Sequence, residues 1–549
     1  MSRKSIPESI IYIAIAAVAG LLFIPFLGGV NLFDWDEINF AESAREMIVS
    51  GDYLTVRINF APFWEKPPLF IWMQVLSMKM FGINEFAARF PNAICGIITL
   101  LVLYSIGKKN YDKTFGWLWV MAYAGSLLPF IYFKSGIIDP WFNLFIFLGI
   151  YRICLYFALD SRRKLNISLS ALFIGLAILT KGPVALLIFL LTILVFALWK
   201  KFRVKTGIAD ILLFSVILIV TGGCWFLLQI LHGNFSILTD FVAYQINLFK
   251  TRGAGHGGFP LYHVIVLLAG VFPASVLAVP ALFRKSSGDE QQVSLTLVMK
   301  ILFWVVLVLF SVVRTKIVHY SSLCYFPLTF LAAAVLSQAF KDQYKIRKYW
   351  IWIISGMGIL YGIVFFILSF FDRMKSFLLD RIVIEDPFAL ACIKADAGWR
   401  GFEWSPAVIL LTGIFLLLWW TYKSKVMKGW LALFISSCFF IYGSLFFFTP
   451  RIERYSQHAA VEFFRSVSDE DAYLETLGYK SYTHLFYGQV KPVFNPDALS
   501  REWLLTGDID KKAYFSLRVD KKNKYLSQYP ELKILYEKNG FVFCIREPR

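Results

Sequence analysis

Charge is scarce in this chain: 17% of its residues are charged against 58% hydrophobic, and its mean hydropathy is +0.62. A soluble domain carries roughly 25% charged residues, so the membrane class leads before any residue is placed. Acids are the scarcer sign, 37 against 55 basic residues, which leaves a net charge of +18. In a soluble protein that excess would suggest nucleic acid; here it is the Lys and Arg surplus of cytoplasmic loops, and no nucleic-acid partner is expected. Cysteine is thin as well, and the 7 residues form no close pairs, which excludes a disulfide scaffold and a zinc ribbon. Cys95, Cys154, Cys224, Cys324 and Cys438 lie in apolar runs as small hydrophobes, and only Cys392 and Cys544 fall in polar segments where a bridge could form. Internal repeats, a Walker A sequence, an H-E-x-x-H helix and a sugar-nucleotide domain are all missing. Gly253 to Gly258 matches G-x-G-x-x-G, but no strand is expected before it and no ribose-binding acid fits, so the sequence predicts a flexible loop instead of a dinucleotide site.

What is present is a series of apolar runs, each able to span about 30 Å of hydrocarbon. They cover 10–29, 90–107, 114–133, 141–159, 166–180, 183–199, 209–231, 261–283, 294–313, 317–340, 349–371, 405–422 and 429–448, about 13 spans. Basic clusters occupy alternate gaps: Arg3-Lys4, Lys108-Lys109, Arg162 to Lys164, Lys200 to Arg203, Arg284-Lys285, Lys345 to Lys348 and Lys423 to Lys428. Those gaps and the N-terminus are therefore expected in the cytoplasm, and the odd count puts the C-terminus outside. The first run lacks a small-residue cleavage site before Leu32-Phe33-Asp34-Trp35 and is kept as an anchor. Three stretches are too polar to span and are expected outside: 31–89, 232–260 and everything after Pro450. The fold expected is a polytopic α-helical membrane domain over 1–449, whose external loop 31–89 carries juxtamembrane helices. A small α/β extramembrane domain follows over 450–549, with strand-like runs at Ala472 to Leu477 and Phe541 to Ile545.

Ionisable groups at a membrane edge are costly, so function is sought there. In the first external loop Phe40, Ala44 and Met47 follow helical spacing, which predicts a short surface helix with Asp36 at its N-cap. Asp36 then reads either as a cap, with Glu37 complementing the helix dipole, or as a general base pinned at the bilayer edge; spacing leaves both open. Glu65-Lys66-Pro67-Pro68 holds a carboxylate and an ammonium on a rigid corner, since the prolines stop one helix and open the next at Leu69; a solvated pair beside a turn is the plain alternative. Lys181 ends a span before a Gly182-Pro183 break, where snorkelling competes with room for a ligand phosphate. Asp139 opens a span on the external side. Arg314 to Tyr320 joins two spans there, and its cations Arg314 and Lys316 break the positive-inside pattern and want an anionic partner.

Asp36-Glu37-x-x-Phe40-Ala41-Glu42 with Arg45-Glu46-Met47, then Glu65 to Leu69, then Leu179 to Pro183, resembles the GT-C membrane glycosyltransferases in order and spacing. The similar families are the bacterial aminoarabinose transferases of lipid A and the protein O-mannosyltransferases, and the match runs from the first span to about residue 340. The resemblance implies an inverting transferase that takes a sugar from a polyprenyl phosphate on the outer face of a bacterial inner membrane and passes it to a lipid, glycan or protein. It implies Asp36 as the catalytic carboxylate, with Glu37 and Asp139 as further acids. Lys66, Lys181, Lys316 and Tyr320 are the candidates for the donor phosphate. No cofactor is required; Glu65 and His256 match positions that could hold a zinc-like divalent metal. A monomer is expected. The sequence departs from these families in Phe40, where an aromatic hydroxyl is usual, and in an acid-aromatic Asp34-Trp35 insert. The rival class is a transporter or flippase, which would spread its charged groups along a path instead of collecting them at one external cavity.

Overall fold

The structure, a computed structural model, describes residues 7–158, 161–203, 206–250, 259–286, 288–492 and 495–548. Among them nine helices are long and apolar enough to cross a membrane, beginning with Glu85–Asn110 and ending with Val426–Arg454. Glu8–Phe23 and Val184–Trp199 are shorter, and two more segments are broken midway, Lys113–Ala124 from Leu127–Tyr132 and Tyr262–Gly270 from Ala274–Phe283. Together these follow the thirteen expected spans in order.

Polar residues punctuate the segments. Asn84, Asp112 and Asp289 each accept a hydrogen bond from a backbone amide three residues on, at 2.9, 2.8 and 2.8 Å, which satisfies an orphan donor at a helix start. The first break falls at Gly125-Ser126. A Cβ on Gly125 would lie 2.7 Å from the Phe434 carbonyl oxygen, so the neighbouring helix leaves no room for a side chain. Ser126 Oγ then donates to the Ala122 carbonyl at 2.6 Å, so this backbone acceptor keeps a partner beside the break. Helix Ile208–Leu231 has only 11% of its apolar window buried, and Ile211, Ile219 and Leu231 are exposed. That surface is stable only against lipid.

The C-terminal part contains a four-stranded sheet in the order Tyr473–Leu477, Ala513–Arg518, Phe541–Arg546, Lys533–Lys538. Its first pair is parallel and the others antiparallel. One face buries Leu477, Phe515, Val542 and Cys544; the other receives helix His458–Ser466, with Phe463 stacked on Phe543 at 4.3 Å between ring centroids. The seven cysteines are free, Cys392 and Cys544 included.

Two expectations are corrected here. The boundary placed at 449/450 falls inside one helix, because Val426–Arg454 runs through Pro450. A fourth polar stretch, 369–404, joins the sheet: Phe388 meets Phe541 edge-on at 5.2 Å and Asp386 lies 3.6 Å from Arg518. It therefore sits on the sheet's side of the membrane domain.

The sheet domain is bound to the first loop. The Leu32 amide donates to Tyr487 Oη at 2.6 Å, the Asp34 amide to Gln457 Oε1 at 3.0 Å, and Asn31 Nδ2 to Glu453 Oε1 at 2.8 Å. Beneath this roof lies helix Asp36–Ser50, whose Ile38, Ala41 and Ala44 pack in one apolar cluster with Phe463, Phe486 and Tyr487.

Candidate active site

The helix Asp36–Ser50 begins one residue earlier than its spacing predicts. Trp35 stands at the N-cap with helical dihedrals, φ −102° and ψ −49°, and makes no side-chain cap bond. Asp36 is consequently the first helical residue. Its carboxylate does not fold back onto the amides, which corrects the capping expectation; it projects outward and meets His319 Nε2 at 3.2 Å. His319 Nδ1 in turn lies 3.1 Å from Tyr132 Oη. Burial opposes a charge on Asp36, but the His319 hydrogen bond and the positive charges of His319, Lys66 and Lys181 outweigh it, so its pKa lies below the usual carboxylate value.

Glu37, one residue on, has the opposite fate. Arg89 clamps it through two bonds, Nε to Oε1 at 2.9 Å and Nη2 to Oε2 at 2.7 Å, and the amides of Phe33 and Gly136 donate at 2.9 and 2.5 Å. Arg89 also donates to the carbonyls of Leu27, Val30 and Asn31, at 2.8, 2.7 and 2.9 Å. A carboxylate has about four acceptor sites, and those of Glu37 are taken. Burial works against its charge, yet the guanidinium holds its pKa down. The expectation of Glu37 as a catalytic acid is corrected: it is a strut that fixes the helix start.

Asp139 opens the helix Asp139–Ala158 and is 3% exposed; its Oδ1 accepts from Lys181 Nζ at 2.6 Å. Lys181 ends the helix Arg163–Lys181, where Gly182 at φ +110° turns the chain into Pro183. Its ammonium sits 5.5 Å from the Phe142 ring centroid and 5.8 Å from that of Tyr320. Lys66 stands on the corner before helix Leu69–Phe81, and burial foremost, with the nearby charge of Lys181, lowers its pKa. Asp36, Lys66, Asp139, Lys181 and Tyr320 all line one cavity of about 1190 Å³, whose wall also carries Glu65, His319 and apolar Val184, Ile188 and Phe310.

Lys316 is not among the lining residues. Its Nζ donates to the carbonyls of Phe310, Ser311 and Val313 at 3.0, 2.6 and 2.7 Å and so closes the end of helix Glu290–Val312. The expectation that it binds a phosphate is corrected: its three donors are spent on orphan carbonyls. His256 lies outside the described residues, as does the glycine-rich stretch 251–258. Among the described residues no group of three His, Cys, Asp or Glu could hold a metal. Sequence reasoning did not single out His319, Arg89, Lys134 or Lys480 as site residues, though all line the cavity. His319 stands in the Arg314 to Tyr320 segment that broke the charge pattern, and that was its signal; the others carry none.

Residues 65–225 match the family model described as dolichyl-phosphate-mannose-protein mannosyltransferase. The undecaprenyl phosphate-alpha-4-amino-4-deoxy-L-arabinose arabinosyl transferase of Shewanella sediminis is 26% identical over 388 residues, 68% of this chain and 67% of that one. The protein of the same name from Pseudomonas aeruginosa is 26% identical over 331 residues, 58% of each chain. The crystal structure of ArnT from Cupriavidus metallidurans bound to undecaprenyl phosphate shares the fold over 99% of both chains, with a TM-score of 0.73 and 16% identity. With that fold and those sequence matches, the chain resembles the membrane glycosyltransferases of the GT-C type, the aminoarabinose and protein mannosyl transferases among them.

Proposed function

We propose that this protein moves a sugar, with inversion, from a polyprenyl phosphate to a lipid, glycan or protein acceptor on the outer face of a bacterial inner membrane. Support comes from one juxtaposition: Asp36, Lys66, Lys181 with its partner Asp139, His319 and Tyr320 surround a single cavity. A transporter would string such groups along a path.

The anomeric C–O bond to the donor phosphate breaks as the acceptor oxygen attacks from the other face. Charge that develops on the leaving phosphate falls to Lys66 and Lys181, and a hydroxyl in the Tyr320 position adds a donor. Asp139 accepts from the Lys181 ammonium at 2.6 Å and keeps it aimed. Asp36 accepts the hydroxyl proton late, once the attacking oxygen has become acidic, and His319 holds the carboxylate in place. Where the acceptor is already an anion, Asp36 orients it and stabilises the oxocarbenium charge. A monophosphate leaving group served by two ammonium groups requires no metal in this scheme. The apolar wall of Val184, Ile188 and Phe310 suits a polyprenyl chain.

Purified protein supplied in parallel with a polyprenyl-phosphate sugar and a nucleotide sugar tests the assignment. Transfer from the lipid-linked donor alone is expected. Turnover of the nucleotide sugar would overturn it.

A further inference from the structure

The polar stretch 369–404 has no part in the catalytic scheme, yet it touches both the sheet and the end of a span. Helix Lys348–Leu368 approaches that stretch with Ile363, Val364, Ile367 and Leu368 exposed, a surface stable only against lipid. It ends where the Ser369 amide donates to the Phe365 and Phe366 carbonyls, at 3.2 and 3.3 Å. Helix Phe371–Leu379 begins directly after this bend and so starts at the boundary of the hydrocarbon. Its inner face is tied down: Asp372 Oδ1 accepts from Lys375 Nζ at 2.9 Å and from Tyr455 Oη at 2.8 Å, and Phe371 meets the Tyr455 ring edge-on. Its outer face carries exposed Met374, Phe377 and Arg381 at the i, i+3, i+7 spacing of one helical stripe, and Ile382 and Val383 follow. Phe377, Ile382 and Val383 are 54%, 56% and 90% exposed.

Continuity identifies what covers these side chains. The Phe366 and Phe370 rings lie 5.4 Å apart, so the lipid-facing surface of the span runs through them into the outer face of the short helix. Arg373 and Arg381 border that face. Their guanidiniums lie 5.7 and 4.1 Å from the ring centroids of Phe370 and Phe377, and neither has an oxygen partner among the described residues. An arginine that covers a phenylalanine and keeps its donors free has the posture of a side chain at a bilayer interface. Those free donors match a lipid phosphate. Net charge does not draw the segment down, because Asp372, Asp380, Glu385 and Asp386 offset Arg373, Lys375 and Arg381; burial of apolar surface leads.

We infer that Met374, Phe377, Ile382 and Val383 are immersed in the leaflet on the sheet's side, with Arg373 and Arg381 on the phosphate groups of its phospholipids. The other arm of the same stretch grips the sheet: Arg518 lies 4.2 Å from the Phe388 ring centroid, and Cys392 Sγ donates to the Asn539 carbonyl at 3.5 Å. The stretch is thus a bracket between leaflet and sheet, and it sets the height at which the roof of the cavity rides over the membrane. This attachment is independent of the transfer reaction.

Full-length protein in nanodiscs of phosphatidylethanolamine and phosphatidylglycerol tests it. A nitroxide is attached in turn to Phe377→Cys, to Val383→Cys and to Asn523→Cys, an exposed position on the sheet domain. Label taken up by the 7 native cysteines is measured on the unsubstituted chain and subtracted. Oxygen, which concentrates in lipid, is expected to relax the labels at 377 and 383 more than a water-soluble nickel chelate does, with the order reversed at 523. Stronger relaxation by nickel at 377 and 383 would overturn the immersion. Shielding from both reagents would overturn it as well, since a second copy or another protein would then be the cover. Arg373→Gln with Arg381→Gln is expected to move the 377 label toward the nickel reagent, and Arg373→Lys with Arg381→Lys to return it to its original depth. A label that the two glutamines leave unmoved would overturn the phosphate contact.

Discussion

Asp36 and Glu37 are chemically alike and adjacent, and they are separated by what reaches them. Four donated bonds fix Glu37, whereas Asp36 meets a histidine that itself can carry a proton. Because Asp36 caps nothing, Asp36→Asn removes charge without removing a helix stop. The variant should melt in detergent as wild type does and transfer sugar about 10²–10⁴-fold more slowly. An active Asp36→Asn enzyme would retire it as the catalytic group. Which residues the sequence could name follows from the same contrast. Asp36, Lys66, Asp139, Lys181 and Tyr320 stand at span ends or breaks, where charge is costly and so conspicuous. Arg89 stands near a span end too, but its partner is Glu37, a pairing across 52 positions that no local spacing announces. Lys316 misleads for the converse reason: its partners are carbonyls 3 to 6 residues upstream, a local cap that looks like a free cation in a string of letters.

At the scale of an element, helix Asp36–Ser50 is the one the hydrophobic pattern describes least well. Its apolar stripe predicts a helix lying on a surface, yet Glu42, Arg45 and Glu46 are buried along with the stripe. Arg45 spends its guanidinium on Glu42, at 2.7 and 2.6 Å, and on the Val490 carbonyl at 2.8 Å. Glu46 is left with the Phe60 amide at 2.8 Å and an Oε1 that has no partner. Burial and the adjacent Glu42 carboxylate push its pKa up to about 8 from 4.5. The folded protein thus retains a proton that the unfolded chain releases above pH 4.5. Stability is whole below that value and is lost as pH rises through about 8. Wild-type melting temperature should fall across this window in detergent, and Glu46→Gln should flatten the fall. A variant with the wild-type slope would place the titrating group elsewhere.

Across the whole molecule, the spans were legible because hydrocarbon admits few alternatives to a long apolar helix. Their breaks were not, since Gly125 is made necessary by Phe434 on a distant helix. The 369–404 stretch was passed over for the same reason: Phe388 has a partner only once Phe541 has been folded beside it. Topology is tested with a reporter active only outside the cytoplasm. Fused after residue 456 it should report, and fused after Lys425 it should stay silent; the reverse would invert the assignment.

The bond between Leu32 and Tyr487 joins residues 455 positions apart. At roughly 5–20 residues per second, synthesis takes about 20–90 s to deliver the second after the first. Throughout that interval the first loop has left the ribosome without its roof, and Trp35 has no Tyr482 to lean on. Competence for transfer therefore arrives only after Tyr487 has been made, so a ribosome that stalls before it leaves an anchored protein with an open site.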